Sequence, residues 1–329
     1  MNKKIKIIII IIFSVLFLVF AFFFIGRPQP AEEITWGIIF SDKYSRELGL
    51  DWQENYLAIL DDLKVKHLKL VTYWDLIEKE KDNYNFENLD WQIKEAEKRD
   101  VQLILVVGQK LPRWPECHIP QWAKDLRDKE REEELLEFIE IVVRRYKDSP
   151  ALQYWQVENE PFFSFGECPE FKEDFFKEEV ALVRHLDERK IIVSESGEFP
   201  LWFKAAQTGD IVGHTLYRKV WVTELGIYFS YPFPPVFYNR KSWLVEKIFD
   251  KKTICVELQA EPWGPELCYN ISLEEQKKTM DLEQLQKNIS YAKRTGLDTF
   301  YLWGSEWWYW LKEEKGESQI WQEIKKLFI

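Results

Sequence analysis

The run LQYWQVENEP, residues 152–161, carries a strand-like apolar segment straight into an Asn-Glu-Pro triplet. In a parallel-sheet protein the carboxyl ends of the strands open onto the site, so a strand over 152–157 delivers Glu158, Asn159 and Glu160 to that end. Much further along, TICVELQAEPW (residues 253–263) is a second strand-like run and delivers Glu257.

From these two strands the pattern extends outward in both directions. Short apolar strands are expected at 35–40, 67–72, 102–107, 152–157, 191–194, 211–215, 253–257 and 299–303. Between them lie amphipathic helical patterns at 52–63, 89–98, 130–146, 172–186, 241–249 and 272–294, with a short, weak helix near 200–206. Eight strand–helix units predict a closed (β/α)8 TIM barrel, of which the common length is about 250 residues. A doubly wound open sheet is the rival. It requires a Gly-rich phosphate turn after the first strand, and the 13 glycines contain no G-x-G-x-x-G. No Pro/Gly/Ser-rich linker interrupts the body, so residues 31–329 read as one domain. The aromatic stretch 220–238, containing FSYPFPPVFY, reads as an active-site wall or lid.

Residues 1–30 are a separate object. Lys3, Lys4 and Lys6 precede an almost unbroken apolar run from 7 to 25, closed by Arg27 and two prolines. That run is long enough to span a bilayer, and AFFFIG offers no A-x-A cleavage site, so an uncleaved signal anchor is expected. The lysines place the body outside the cytoplasm. Secretion after signal cleavage is the alternative.

The 329 residues are 46% hydrophobic and 31% charged, sufficient for a sizeable core. A net charge of -11 without a basic stripe argues against nucleic acid. Four histidines and four cysteines without a C-x-x-C pair predict no metal site and no cofactor. Cys117 and Cys168 fall in consecutive strand-to-helix loops that should be neighbours, and a disulfide between them is expected outside the cytoplasm. Cys255 shares side-chain parity with Glu257 and is expected to point into the barrel as a small core residue. The 16 tryptophans exceed what one core requires. Most should fill it, and the remainder are candidate sugar platforms.

Two carboxyls from two strand ends suit glycoside hydrolysis, where one protonates the leaving oxygen and the other attacks the sugar. The segment YWDLIEKEKDNYNFENLD (residues 73–90) resembles the W-x-x-I-E-x-x-x-G-x-Y-x-F-x-x-L-D stretch of clan A retaining glycoside hydrolases, especially family 42 and its cellulase-like relatives of family 5. Trp74, Ile77, Glu78, Tyr84, Phe86, Leu89 and Asp90 carry the match, with Asp82 and Asn83 where glycine is usual. The resemblance implies a TIM barrel acting on carbohydrate, with Glu160 as acid/base, Glu257 as nucleophile and Asn159 on the 2-hydroxyl of the reacting sugar. It also implies Tyr217 as the hydrogen-bond partner of Glu257 and Trp303 as sugar platform. The clan often has an arginine on its second strand; the nearest basic residue here is Lys69, which lacks the guanidinium fork.

Each assignment has a plainer rival. Glu261 shares the parity of Glu257 and competes for the nucleophile's role. Glu158 lies deeper than Glu160 and suits an interior ion pair. Glu195 and Glu198 could line the cleft, but a loop or helix-start carboxylate is the simpler reading. Trp74, Trp114, Trp263 and the WWYW run at 307–310 are placed in loops at the mouth, as platforms or as packing, and Glu306 as a contact to sugar hydroxyls. His214 reads as a satisfied barrel histidine. A non-catalytic glycan-binding barrel and a transglycosylase using the same intermediate remain as alternatives.

Overall fold

The computed structural model describes residues 3–329. Ten strands occur in chain order: β1 (Thr35–Phe40), β2 (His67–Val71), β3 (Gln102–Val107), β4 (Leu152–Val157), β5 (Ile191–Glu195), β6 (Ile211–Leu216), β7 (Lys219–Val222), β8 (Ile227–Ser230), β9 (Lys252–Gln259) and β10 (Thr299–Trp303). Eight of them close a parallel barrel in the order β1-β2-β3-β4-β5-β6-β9-β10, and β10 returns to β1. Closure removes the open doubly wound alternative. Both faces of such strands are covered, which is why they read as near-continuous apolar runs. β7 and β8 form a separate antiparallel hairpin that opens the aromatic stretch expected to be an active-site wall or lid.

Inside the barrel, Ile39, Ile104, Ile192, Ile211, Ile254, Val256, Tyr301 and Trp303 pack as one cluster, while the larger core lies between strands and helices. Gly37 makes room for this filling, because a Cβ there would stand 2.5 Å from the Tyr301 ring. The helices follow their signals. Asp51 accepts from the backbone of Gln53 and Glu54 to start Trp52–Asp61, and Asp281 accepts from Gln284 to start Leu282–Lys293. That second cap also breaks the long helix expected over 272–294 into Leu273–Gln276 and Leu282–Lys293.

β9 departs from regular alternation. His214 of β6 pairs with Cys255 and Thr215 with Glu257, and on the other side Phe300 pairs with Cys255 and Leu302 with Leu258. Val256 is therefore one residue too many against both neighbours, a β-bulge. Its consequence is a correction: Cys255 packs in the strand–helix layer, whereas Val256 belongs to the barrel interior. Glu257 still reaches the interior because the bulge resets the alternation.

The WWYW run lies on the helix Ser305–Glu314, with Trp307 and Trp308 buried in the core, so it forms no loop at the mouth. Among the described residues, Lys4–Phe24 is the one helix long and apolar enough to cross a membrane, by length and composition. Gly37→Ala should cost about 1–3 kcal/mol through overpacking against Tyr301. Urea unfolding measures it, and an unchanged midpoint would mean the ring has room to move.

Candidate active site

β4 ends in two non-glycine residues with left-handed backbone, Glu158 (φ 56) and Glu160 (φ 45). Such conformations are costly and persist where the surroundings impose them. Lys110 does much of this, its N–H donating to the Glu158 carboxylate, its carbonyl accepting from Asn159 N–H at 2.6 Å and its ammonium donating to the Glu160 carbonyl at 2.9 Å. Ser194 Oγ accepts from Glu160 N–H at 2.9 Å. Glu158 forms no side-chain ion pair of the kind expected; the backbone N–H groups of Gln109 and Lys110 hold it, and it shares a hydrogen bond with Glu179.

The side chain of Glu160 meets β6, where Thr215 Oγ1 donates to its Oε1 at 3.2 Å. Thr215 is the register partner of Glu257. Two residues on, Tyr217 donates its hydroxyl to Glu257 Oε2 at 3.2 Å, while Lys69 Nζ donates to Oε1 at 3.2 Å. Lys69 thus stands on β2 and grips Glu257 with a single ammonium in place of a guanidinium fork. Burial pulls its pKa down, and Glu257 pulls it back up. Burial first, then the neighbouring Glu257 charge, push the Glu160 carboxyl up to about 8. Asn159 is buried beside the pair, with its Oδ1 accepting from Gln156.

Several residues escaped sequence reading. Glu116, one position before the bridged Cys117, is a third buried carboxyl; it bonds Asn159, and burial together with the Glu257 charge raises its pKa well above the usual range. The Cys117–Cys168 disulfide, with Cα atoms 5.1 Å apart, ties its loop to the loop after Glu160. Proximity to the cysteine was the available signal. Arg113 could not be anticipated, because its partners come from distant strand ends. Its guanidinium pairs with Glu261 and Glu306 and stacks between Tyr44 and Trp303, 3.7 and 3.8 Å from the ring centroids.

That network corrects one reading and bears on another. Glu306 is fully buried, accepts from Ser41 N–H and pairs with Arg113, so it has no free edge for sugar hydroxyls. Glu261 pairs with Arg113 through one oxygen, with burial raising its pKa to about 7; Glu257 is the carboxyl whose register partner on β6, Thr215, also bonds Glu160. Trp74 is corrected too. It is fully buried, donates its Nε1–H to Glu78 at 2.7 Å and packs on Trp122 and Phe138, leaving no face for a ligand. Glu78 also accepts from Asp82 N–H, and Asp82 takes φ 62, the backbone that glycine supplies at this place in the resembled motif.

Trp303 lies at the end of β10 with one face covered by Arg113. Trp263 meets both Tyr217 and Phe165 edge to face or tilted, at 5.3 and 5.7 Å. Trp114 is exposed on the rim, 6.1 Å from Phe165. Glu195 accepts from Ala205 N–H at the start of Phe203–Thr208, and Glu198 from Tyr217 N–H and Tyr238 Oη. His214 faces outward, stacked on Trp202 at 4.4 Å, and burial lowers its pKa to about 3. A hollow of about 490 Å³ lined by Phe162, Phe163, Phe199 and Leu201 lies beside the loop that follows Glu160.

Residues 68–181 match the model of glycosyl hydrolase family 10. The fold is that of known glycosidases of clan A, as the sequence resemblance implied. Similar solved structures include an endo-β-1,4-xylanase of Gloeophyllum trabeum, 15% identical with a TM-score of 0.57, covering 83% of this chain and 85% of that one. A GH5_18 protein of Bifidobacterium longum is 12% identical at a TM-score of 0.57, covering 83% and 70%. A β-galactosidase of Halorubrum lacusprofundi is 15% identical at 0.52, covering 82% and 52%. The chain spans about half the length of the β-galactosidases it matches. No curated protein matches the sequence. At these identities the structural likeness bears on the fold, and the side chains carry the chemistry.

Trp74→Phe should lower stability, because the indole N–H partner of buried Glu78 is lost, by about 1–3 kcal/mol. It should leave KM for any glycoside unchanged; a raised KM would restore Trp74 to the site.

Proposed function

We propose that the chain is a retaining β-glycosidase, with a catalytic barrel of residues 31–329 held outside the cytoplasm by a membrane anchor in residues 1–30. The observation that carries this is the convergence of Glu160 and Glu257 at the end of β6, where Thr215 donates to one and Tyr217, just past the strand, to the other. A partial match to a glycosyl hydrolase family and the clan's barrel support the same reaction class.

Glu160 keeps its proton at neutral pH because burial and the Glu257 charge penalise its anion. In the first step Glu257 forms a bond to the anomeric carbon as the bond to the leaving oxygen breaks. The electron pair goes to that oxygen, which takes the Glu160 proton. Lys69 and Tyr217 hold Glu257 in line for attack. In the second step water attacks the anomeric carbon, its proton passes to Glu160 and the carboxylate of Glu257 leaves. Asn159 is placed to donate to a hydroxyl of the reacting sugar. Tyr217, Trp263 and Trp114 are the proposed walls for substrate, and Trp303 offers its face not covered by Arg113. A sugar acceptor replacing water would make the same intermediate serve transglycosylation.

Incubation with 2-fluoro-glycosyl inactivators and peptide mass spectrometry tests the mechanism. The label should fall on Glu257, and a label on Glu261 would overturn the assignment. Glycan binding without hydrolysis of any oligo- or polysaccharide would make the barrel a binding module.

Raising the pH through about 8 strips the Glu160 proton, so kcat/KM should fall along an alkaline limb near that value. Glu160→Gln should remove this limb and spare the first step on activated aryl glycosides while crippling poor leaving groups. Equal loss on both substrate types would count against the acid role.

A further inference from the structure

The helix Lys4–Phe24 has 21 residues. At 1.5 Å per residue that is about 31 Å, close to the hydrocarbon thickness of a bilayer. A helix that spans with no length to spare brings its last turn to the outer boundary. That turn is packed against the barrel domain. The Phe22 ring meets Trp243 at 5.8 Å and lies under the Arg240 guanidinium at 5.1 Å. Phe23 and Phe24 meet Phe237 at 5.8 and 5.7 Å, and Phe24 meets Phe233 at 6.4 Å. The helix Pro235–Phe249 that carries Phe237, Arg240 and Trp243 must then sit at the interface, where an aromatic body with a polar or cationic edge is at home.

From this point a line of rings continues over the surface. Phe233 meets Tyr231 at 6.2 Å, and Tyr231 meets Phe229 of β8 at 5.3 Å and Phe199 at 6.0 Å. Around the line stand side chains that water solvates poorly: Phe199 is 65% exposed, and Leu225 at the hairpin tip 68%. Of eleven exposed large apolar side chains beyond Ile25, seven lie between Phe199 and Ile248. A patch of this kind marks an interaction surface. Its continuity with the docked end of an apolar helix of bilayer length names the partner.

We propose that the hairpin β7–β8, Phe199 and the outer face of Pro235–Phe249 form a lipid-contacting surface on which the barrel lies against the outer leaflet. This rests on the anchor reading given above. The hollow beside the Glu160 loop is lined by Phe199 and Leu201 of the same ridge, so docking brings that side of the carboxyl pair to the lipid surface.

The test uses the full chain reconstituted in vesicles of phosphatidylcholine and phosphatidylglycerol. The native cysteines give no background, since Cys255 and Cys268 are buried and the other two are bonded. Leu225→Cys and Phe199→Cys are compared with Lys129→Cys, on the exposed face of Asp128–Tyr146. With a membrane-impermeant maleimide, positions 225 and 199 should react roughly tenfold more slowly than 129, and a fluorophore at 225 should be quenched by brominated lipid. If the protein floats with the vesicles but all three positions react alike and no quenching occurs, the lipid-contacting surface is refuted while the anchor stands. Failure to float refutes the anchor, and the docked surface with it.

Discussion

The rest of this structure depends on the burial of carboxyl groups at the carboxyl end of a closed barrel. Glu116, Glu158, Glu257, Glu261 and Glu306 are all buried there, and Glu160 lies among them half-buried. Removing a carboxylate from water costs several kcal/mol unless it is paired, bonded or protonated. Five of these groups show how the cost is met. Glu158 accepts backbone N–H groups, Glu261 and Glu306 divide one guanidinium, Glu257 takes an ammonium and a phenol, and the Glu160 carboxyl has its pKa pushed up to about 8. Two carboxyls in one site with opposed surroundings are what acid–nucleophile chemistry requires.

Keeping them in place consumes backbone freedom. β4 ends in two left-handed glutamates, and the bulge at Val256 turns β9 so that Glu257 faces inward. Cys117–Cys168 joins the loop carrying Glu116 to the loop after Glu160. The aromatic side chains divide between two tasks. Trp74, Trp307 and Trp308 fill the layer between strands and helices, whereas Trp114 and Trp263 stand at the mouth. Exposure separates the two groups, and residue type does not.

The N-terminal helix is more than an addition to this barrel. Its last turn is packed into Phe233, Phe237 and Trp243, so helix and barrel share an apolar contact of several rings. A flexible tether would let the active-site mouth sample all directions; a packed joint restricts it.

Local pattern determined most of the architecture. The eight apolar runs, the loops joining them and the Asn-Glu-Pro triplet at the end of β4 were legible because strand length, side-chain alternation and turn residues are encoded over a few neighbouring positions. The pairing of Cys117 with Cys168 was legible once consecutive loops were taken as neighbours. What only the tertiary structure decided was long-range. The bulge in β9, which reversed the expected direction of Cys255, exists because two neighbouring strands impose a register that β9 alone does not reveal. Arg113, Glu261 and Glu306 meet across 148 and 193 positions of sequence, so their charge pairing follows from barrel closure. Trp74 read equally as platform or packing because its loop follows a strand end, and the core claims it because Glu78, Trp122 and Phe138 close around it. A few neighbouring residues can specify where a strand ends, whereas the environment of a buried charge is set by every element that reaches it.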